Sequence, residues 1–188
     1  MGGYDLMAEA ARLARESVVN EWGGPFGAVI SRDGEIIATG QNRVLLTGDL
    51  TAHAEIEAIR KAIVVLNGDS PTIPKSRRGL STLALTPLRE ADPHAPSSRA
   101  RMLSGLEIYS TGQPCPMCLG AIYWARLEAC YFACDVEMTK AIGFDDSFLY
   151  DEFALPLEKR RILTEQRFAE LGLEPYQLWM SKGDRHYY

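Results

Sequence analysis

Apolar residues recur at helical spacing over Tyr4 to Asn20. Leu6, Ala10, Leu13 and Val18 share one stripe, while Glu9, Arg12, Arg15 and Glu16 fall largely on other faces, so an amphipathic helix is predicted. Gly23-Gly24-Pro25 breaks that pattern. Phe26 to Ser31 and Glu35 to Thr39 follow as two strand-like runs joined by Asp33-Gly34, a hairpin signal. Gly40-Gln41-Asn42 ends the second run, and a polar loop leads to Thr51, the expected N-cap of a helix over Ala52 to Leu66. Further on, Leu106 to Ser110 reads as a strand and Pro116 to Arg126 as a helix, with proline in the first turn, where its missing N–H has no helical partner. Glu128 to Cys134 reads as another strand, Met138 to Ile142 as a short helix ended by Gly143, and Leu163 to Leu171 as a helix in the tail. A hairpin followed by strand-helix-strand units predicts an α/β fold, a three-layer α/β/α sandwich with helices on both faces of a central mixed sheet.

One stretch departs from this order. Asn67 to Ser104 carries Pro71, Pro74, Pro87, Pro93 and Pro96, half of the 10 prolines, beside serine and arginine clusters. It reads as a surface insertion, with Leu83 to Leu85 as its one short strand. Loops longer than ~12 to 15 residues are usually functional or disordered, so a lid, an oligomer contact and a tolerated excursion all remain open. The length of 188 residues suits a single domain over 1–188, interrupted at 67–104 and closed by a tail over 158–188.

Composition narrows the chemistry. A net charge of −5 disfavours nucleic-acid binding, which draws its affinity from many Lys and Arg contacts to phosphates, although Lys75, Arg77, Arg78, Arg99 and Arg101 make the insertion locally basic. No apolar run approaches the ~20 residues of a membrane span, and no secretory h-region opens the chain, so no membrane association and a cytoplasmic location are expected. Four cysteines in a reducing compartment point to metal or redox chemistry rather than staples.

The metal reading draws on His53, Cys115 and Cys118. Both cysteines and the histidine fall at predicted helix N-termini, where the dipole favours thiolate, and a Cys-x-x-Cys spacing turns both sulfurs to one point. Two thiolates and a neutral imidazole neutralise a dication, and three protein ligands leave one vertex of a catalytic Zn2+ for water, whose acidity the metal raises. Glu55 stands two residues after His53, too near to share the ion in an ordinary helix, and is read as the proton carrier. Competing readings are a redox dithiol and a closed structural site completed by Cys130, Cys134 or His94. Cys130 and Cys134 alternate with Tyr131 and Ala133 in an apolar strand and are expected as core thiols. His186 reads as a solvated residue.

His53-Ala54-Glu55 followed by Pro114-Cys115-Pro116-Met117-Cys118 reproduces the zinc deaminase signature, and each half opens a predicted helix. Together with Gly23-Gly24-Pro25-Phe26-Gly27-Ala28-Val29-Ile30, Gly40-Gln41-Asn42, Leu119-Gly120-Ala121-Ile122-Tyr123-Trp124-Ala125-Arg126 and Gly143-Phe144-Asp145-Asp146-Ser147-Phe148, it resembles the cytidine deaminase-like superfamily. Within that superfamily it is most similar to the bacterial cytidine deaminase-fold guanine deaminases. The resemblance covers nearly the whole chain outside the insertion. It implies hydrolytic removal of the 2-amino group of guanine, giving xanthine and ammonia, by a homodimer with one Zn2+ per subunit. It also implies that Asn42 and Asp146 contact the base, and that Tyr188 or its neighbour Tyr187 closes the pocket from a tail exchanged between subunits.

Taken by residue type alone, Asn42 could equally cap a turn, and Asp145 and Asp146 could be a solvated acidic pair. Phe26 and Trp124 read as core aromatics, with Phe26 also placed to stack on a base. The chain departs from the family at Thr111-Gly112-Gln113, where Ser-Cys-Glu is usual, so a neutral amide replaces an acid next to the metal motif. Cytosine, nucleoside or aminotriazine deamination therefore stands as an alternative, followed by tRNA adenosine deamination and, from another class, a non-catalytic zinc-stabilised binding module.

Overall fold

The computed structural model describes residues 1–67 and 103–185. The expected strand at Leu83 to Leu85, His94, and the terminal His186, Tyr187 and Tyr188 lie outside the described residues.

Helix α1 spans Gly3–Val19 and buries Leu6, Ala10 and Leu13 of the expected stripe, whereas Val18 is exposed near the end of the helix. Strands β1 (Gly27–Arg32) and β2 (Glu35–Gln41) form the hairpin, with Asp33 and Gly34 both at positive φ in the turn. After β3 (Glu107–Gly112), helix α4 (Pro116–Ala125) crosses over to β4 (Ala129–Cys134). The sheet order is β2-β1-β3-β4, antiparallel across the first two pairs and parallel across the last, so the sheet is mixed as expected.

Strand periodicity divides the core in two. Val29 and Tyr109 point to one face and pack with Leu6, Ala10 and Leu13 of α1. Ala28, Ile30 and Ile108 point to the other, against Ala54, Ala58, Ile59 and Ala62 of the helix α3 (Ala54–Asn67) and Ile122 of α4. Each large aliphatic side chain buried in this way contributes on the order of 1.5–3 kcal/mol, enough to hold helices on both faces. The result is the three-layer arrangement. Gly40 sets the distance between the layers on the second face, because a Cβ there would collide with the backbone oxygen of Ala54 at the start of α3.

Several local expectations are corrected. Helix α3 begins at Ala54 rather than Ala52, and Thr51 is not its N-cap: the Thr51 hydroxyl and N–H both donate to Asp49 Oδ1, at 2.7 and 2.8 Å, which ties Thr51 into the preceding loop. That loop also holds a one-turn helix, α2 (Val44–Thr47). Helix α5 (Val136–Ala141) is capped by Asp135, whose carboxylate accepts from Met138 N–H. A further helix, α6 (Ser147–Ala154), occupies a stretch without predicted structure. The tail helix, α7, spans Ala169–Ser181 instead of Leu163 to Leu171, because Phe168 adopts a left-handed conformation at φ 56 that stops helix propagation toward the N-terminus. Cys130 is half-buried against the core, but Cys134 is exposed, so only the first of the two thiols matches the expected core role. Among the described residues no helix is long and apolar enough to cross a membrane.

Candidate metal centre

Two helix N-termini converge on one point. His53 immediately precedes α3, and its carbonyl accepts the first helical bond, from Glu57 N–H at 3.0 Å. Cys115 is the N-cap of α4, with Pro116 behind it, and Cys118 lies in the first turn. The sheet brings these segments together across 62 and 65 residues: His53 Nδ1 lies 3.7 Å from Cys115 Sγ and 3.5 Å from Cys118 Sγ. Bonds of about 2.3 Å to sulfur and about 2.0 Å to nitrogen at a tetrahedral angle place N and S roughly 3.5 Å apart, so the observed separations fit a single zinc ion. The ligand atoms all lie within 4.8 Å of one another, and among the described residues no fourth His, Cys, Asp or Glu joins the group.

The protonation of the group fits the same ion. The hydrogen bond from Cys118 holds the Cys115 thiol down to about 4, with His53 helping and burial opposing. Cys118 is pushed up because its proton is held by Cys115 and because it is buried. Contact with Cys115 raises His53 against the effect of burial. Binding a dication through two thiolates and an imidazole would require both sulfurs to be deprotonated.

Glu55 sits on the apolar stripe of α3, at helical spacing with Ala58, Ile59 and Ala62, and is only 5% exposed. Burial pushes its carboxyl above the usual carboxylate range. Ser110 Oγ donates to Glu55 Oε1 at 3.1 Å, and Cys118 Sγ approaches Oε2 at 3.5 Å. One carboxylate oxygen is thereby held by β3 while the other faces the metal ligands. Sequence reasoning missed Ser110. The signal available was its place in β3, two residues after Ile108 and so on the same face of the strand, turned toward α3.

Of the other expected site residues, Asn42, Phe26 and Asp146 lie among the described residues. Asn42, 4% exposed, is anchored by three backbone bonds: its N–H donates to Phe26 O, Ser17 Oγ donates to its carbonyl, and its Oδ1 accepts from Val44 N–H. It therefore does act in a turn, as its residue type allowed. Gly23 must be glycine here, since a Cβ would strike Asn42 Oδ1. The Phe26 ring packs edge-on against Phe144, with centroids 5.1 Å apart, and Phe144 stands two residues before Asp146. Phe26 is half-buried against the core as well. Asp146 is half-buried and close enough to Cys115 and His53 to be coupled to both, and burial first, then the Cys115 charge, raises its carboxyl. Asp145 has a separate job: it bonds both Ser147 Oγ and Ser147 N–H and pairs with Lys140 at 3.2 Å. Trp124, in contrast, is 65% exposed on the outer side of α4, away from its expected core role. Tyr188 lies outside the described residues.

Comparison with known proteins is consistent with this geometry. Residues 4–134 match the model of the cytidine and deoxycytidylate deaminase zinc-binding region. The chain is 39% identical to guanine deaminase from Bacillus subtilis over 188 residues, covering 100% of both chains. Its structure matches the X-ray structure of that guanine deaminase with a TM-score of 0.80, 38% identity and coverage of 100% of this chain and 99% of the other. More distant is a tRNA-specific adenosine deaminase from Agrobacterium fabrum, 32% identical over 57% of this chain and 50% of its own. The chain described here belongs to the cytidine and deoxycytidylate deaminase zinc-binding family.

Proposed function

We propose that the protein hydrolyses guanine to xanthine and ammonia. The observation that carries this reading is a buried carboxylate, Glu55, aimed at a His53, Cys115 and Cys118 cluster, in a chain similar end to end to a guanine deaminase. Those three residues would hold Zn2+, which would supply the Lewis acidity that makes hydroxide available from water near neutral pH. Glu55 Oε2 accepts one proton from the attacking water as the water oxygen bonds to C2 and passes it to the ring nitrogen, then takes the second proton from the new C2 hydroxyl and passes it to the departing amine as the C2–N bond breaks, which leaves the C2 carbonyl of xanthine and free ammonia. Ser110 keeps the other oxygen occupied, so the proton moves at Oε2 alone. Asn42 and Asp146 hold the base by its polar edge, as carboxamide and carboxylate groups can, and Phe26 stacks on it. Incubating zinc-loaded protein with guanine should release xanthine and ammonia in equal amounts. No turnover of guanine, with ammonia released from cytosine or a nucleoside in the same panel, would move the activity to those substrates.

The same reading includes a homodimer working in the reducing cytoplasm, for which four free thiols are suited. Leu171, Leu173, Tyr176, Leu178 and Met180 of α7 and Tyr123 and Trp124 of α4 are all at least half exposed, more apolar surface than a lone subunit usually leaves in water. A tail donated across the dimer, ending in Tyr188, would cover such surface and close the pocket. Sedimentation at a mass of two subunits is expected, and a monomer that is fully active on guanine would remove the exchange from the mechanism.

A further inference from the structure

Helix α6 carries Asp146 at its N-cap, yet none of its residues is fully buried, so core packing does not fix where that helix lies. One strong polar contact joins it to the metal loop. Tyr150 donates its phenol to Pro114 O at 2.7 Å, across 36 residues and directly before the ligand Cys115. Tyr150 stands four residues after Asp146, so both project from the same side of the helix. The Gln113 side chain reaches the same phenol. A phenol that donates to a carbonyl has an oxygen left to accept, which an amide NH2 can satisfy and a carboxylate cannot. Gln113 in place of the family's acid is thus matched to this phenol. On the outer side, the exposed Arg161 guanidinium pairs with Glu152 at 3.3 Å and its backbone N–H donates to the same carboxylate at 2.9 Å, which ties α6 to the chain that follows it rather than to the metal loop.

We infer that Tyr150 is a positioning residue for substrate specificity: its hydrogen bond to Pro114, completed by Gln113, registers Asp146 against the metal loop at the distance the base requires. The inference rests on the reading of Asp146 as a base contact. It goes beyond that reading by giving this hydrogen bond a share in placing Asp146, beside the packing of Phe144 on Phe26.

The test uses the full-length, zinc-loaded protein and the Tyr150→Phe substitution, which removes only the hydroxyl. KM for guanine should rise about tenfold, the worth of one such bond, while kcat changes by less than about threefold and zinc stays at wild-type stoichiometry. Calorimetric binding of guanine to the Glu55→Gln protein should weaken by the same factor when Tyr150→Phe is added. In an Asp146→Ala background the further Tyr150→Phe change should matter less than about twofold, because the hydroxyl acts through Asp146. An equal effect in both backgrounds, an unchanged KM, or loss of zinc from Tyr150→Phe would each overturn the inference. Wild-type protein that neither binds nor turns over guanine would overturn the guanine reading and this inference together; active wild type beside an indifferent Tyr150→Phe variant overturns this inference alone.

Discussion

Glu55→Gln should leave a folded protein that retains its zinc and loses turnover by at least ~100-fold, within the ~100 to 10,000-fold range that a positioned proton carrier contributes. The substitution is nearly isosteric. The amide oxygen can still accept from Ser110 Oγ, so the buried bond of 3.1 Å survives, and the polar end stays on the apolar stripe of α3 without a cavity. What disappears is the capacity to take up a proton at Oε2, the atom that faces Cys118. The measurement is kcat beside zinc content and thermal melting. A variant within about threefold of wild-type kcat would place the proton transfer elsewhere, and a variant that loses zinc would make Glu55 part of the metal's support. A non-catalytic binding module, the other class compatible with the motifs, predicts no change in either.

Cys118→Ser is expected to act on the metal itself. Cys118 is fully buried in the first turn of α4, and its sulfur is one of the three donors that the described residues bring to the cluster. A neutral hydroxyl in its place removes a thiolate from a set that balances a dication, so zinc per subunit should fall well below one and activity with it. Stability should fall too, because a ligand that binds only the folded state at a thousandfold excess over its Kd adds about 4 kcal/mol. For a chain of this size that corresponds to a Tm lower by on the order of 10 °C. Removing zinc from the wild type with a chelator should reproduce the shift, and the chelator should move the Tm of Cys118→Ser little further. Full zinc occupancy in Cys118→Ser would show that the ion is held by another set of donors.

The metal cluster was legible because each part is local. A histidine at the mouth of one helix and a Cys-x-x-Cys at the mouth of another announce themselves by spacing and by the apolar runs behind them, and the strand-helix-strand order brings two such helix starts to one end of a sheet. Asp145 and Asp146 show the opposite case. Adjacent and chemically identical, they are indistinguishable by type, and only the fold shows that Asp145 is consumed by Ser147 and Lys140 while Asp146 is the half-buried one. Helices α6 and α7 were misjudged for a related reason. Their apolar residues are not gathered on a stripe that this subunit's core covers, so the periodicity that located α1 and α3 had nothing to report.

The sequence by itself therefore determined the layers, the ligand trio and the acid beside it, since these depend on periodicity and on side chains within a few residues of a helix start. Tertiary structure alone decided which partner each polar group meets. Ser110 reaches Glu55 over 55 residues and Tyr150 reaches Pro114 over 36; local spacing can tell which face of a strand Ser110 takes, but which partner it meets is set by how the sheet and helices pack.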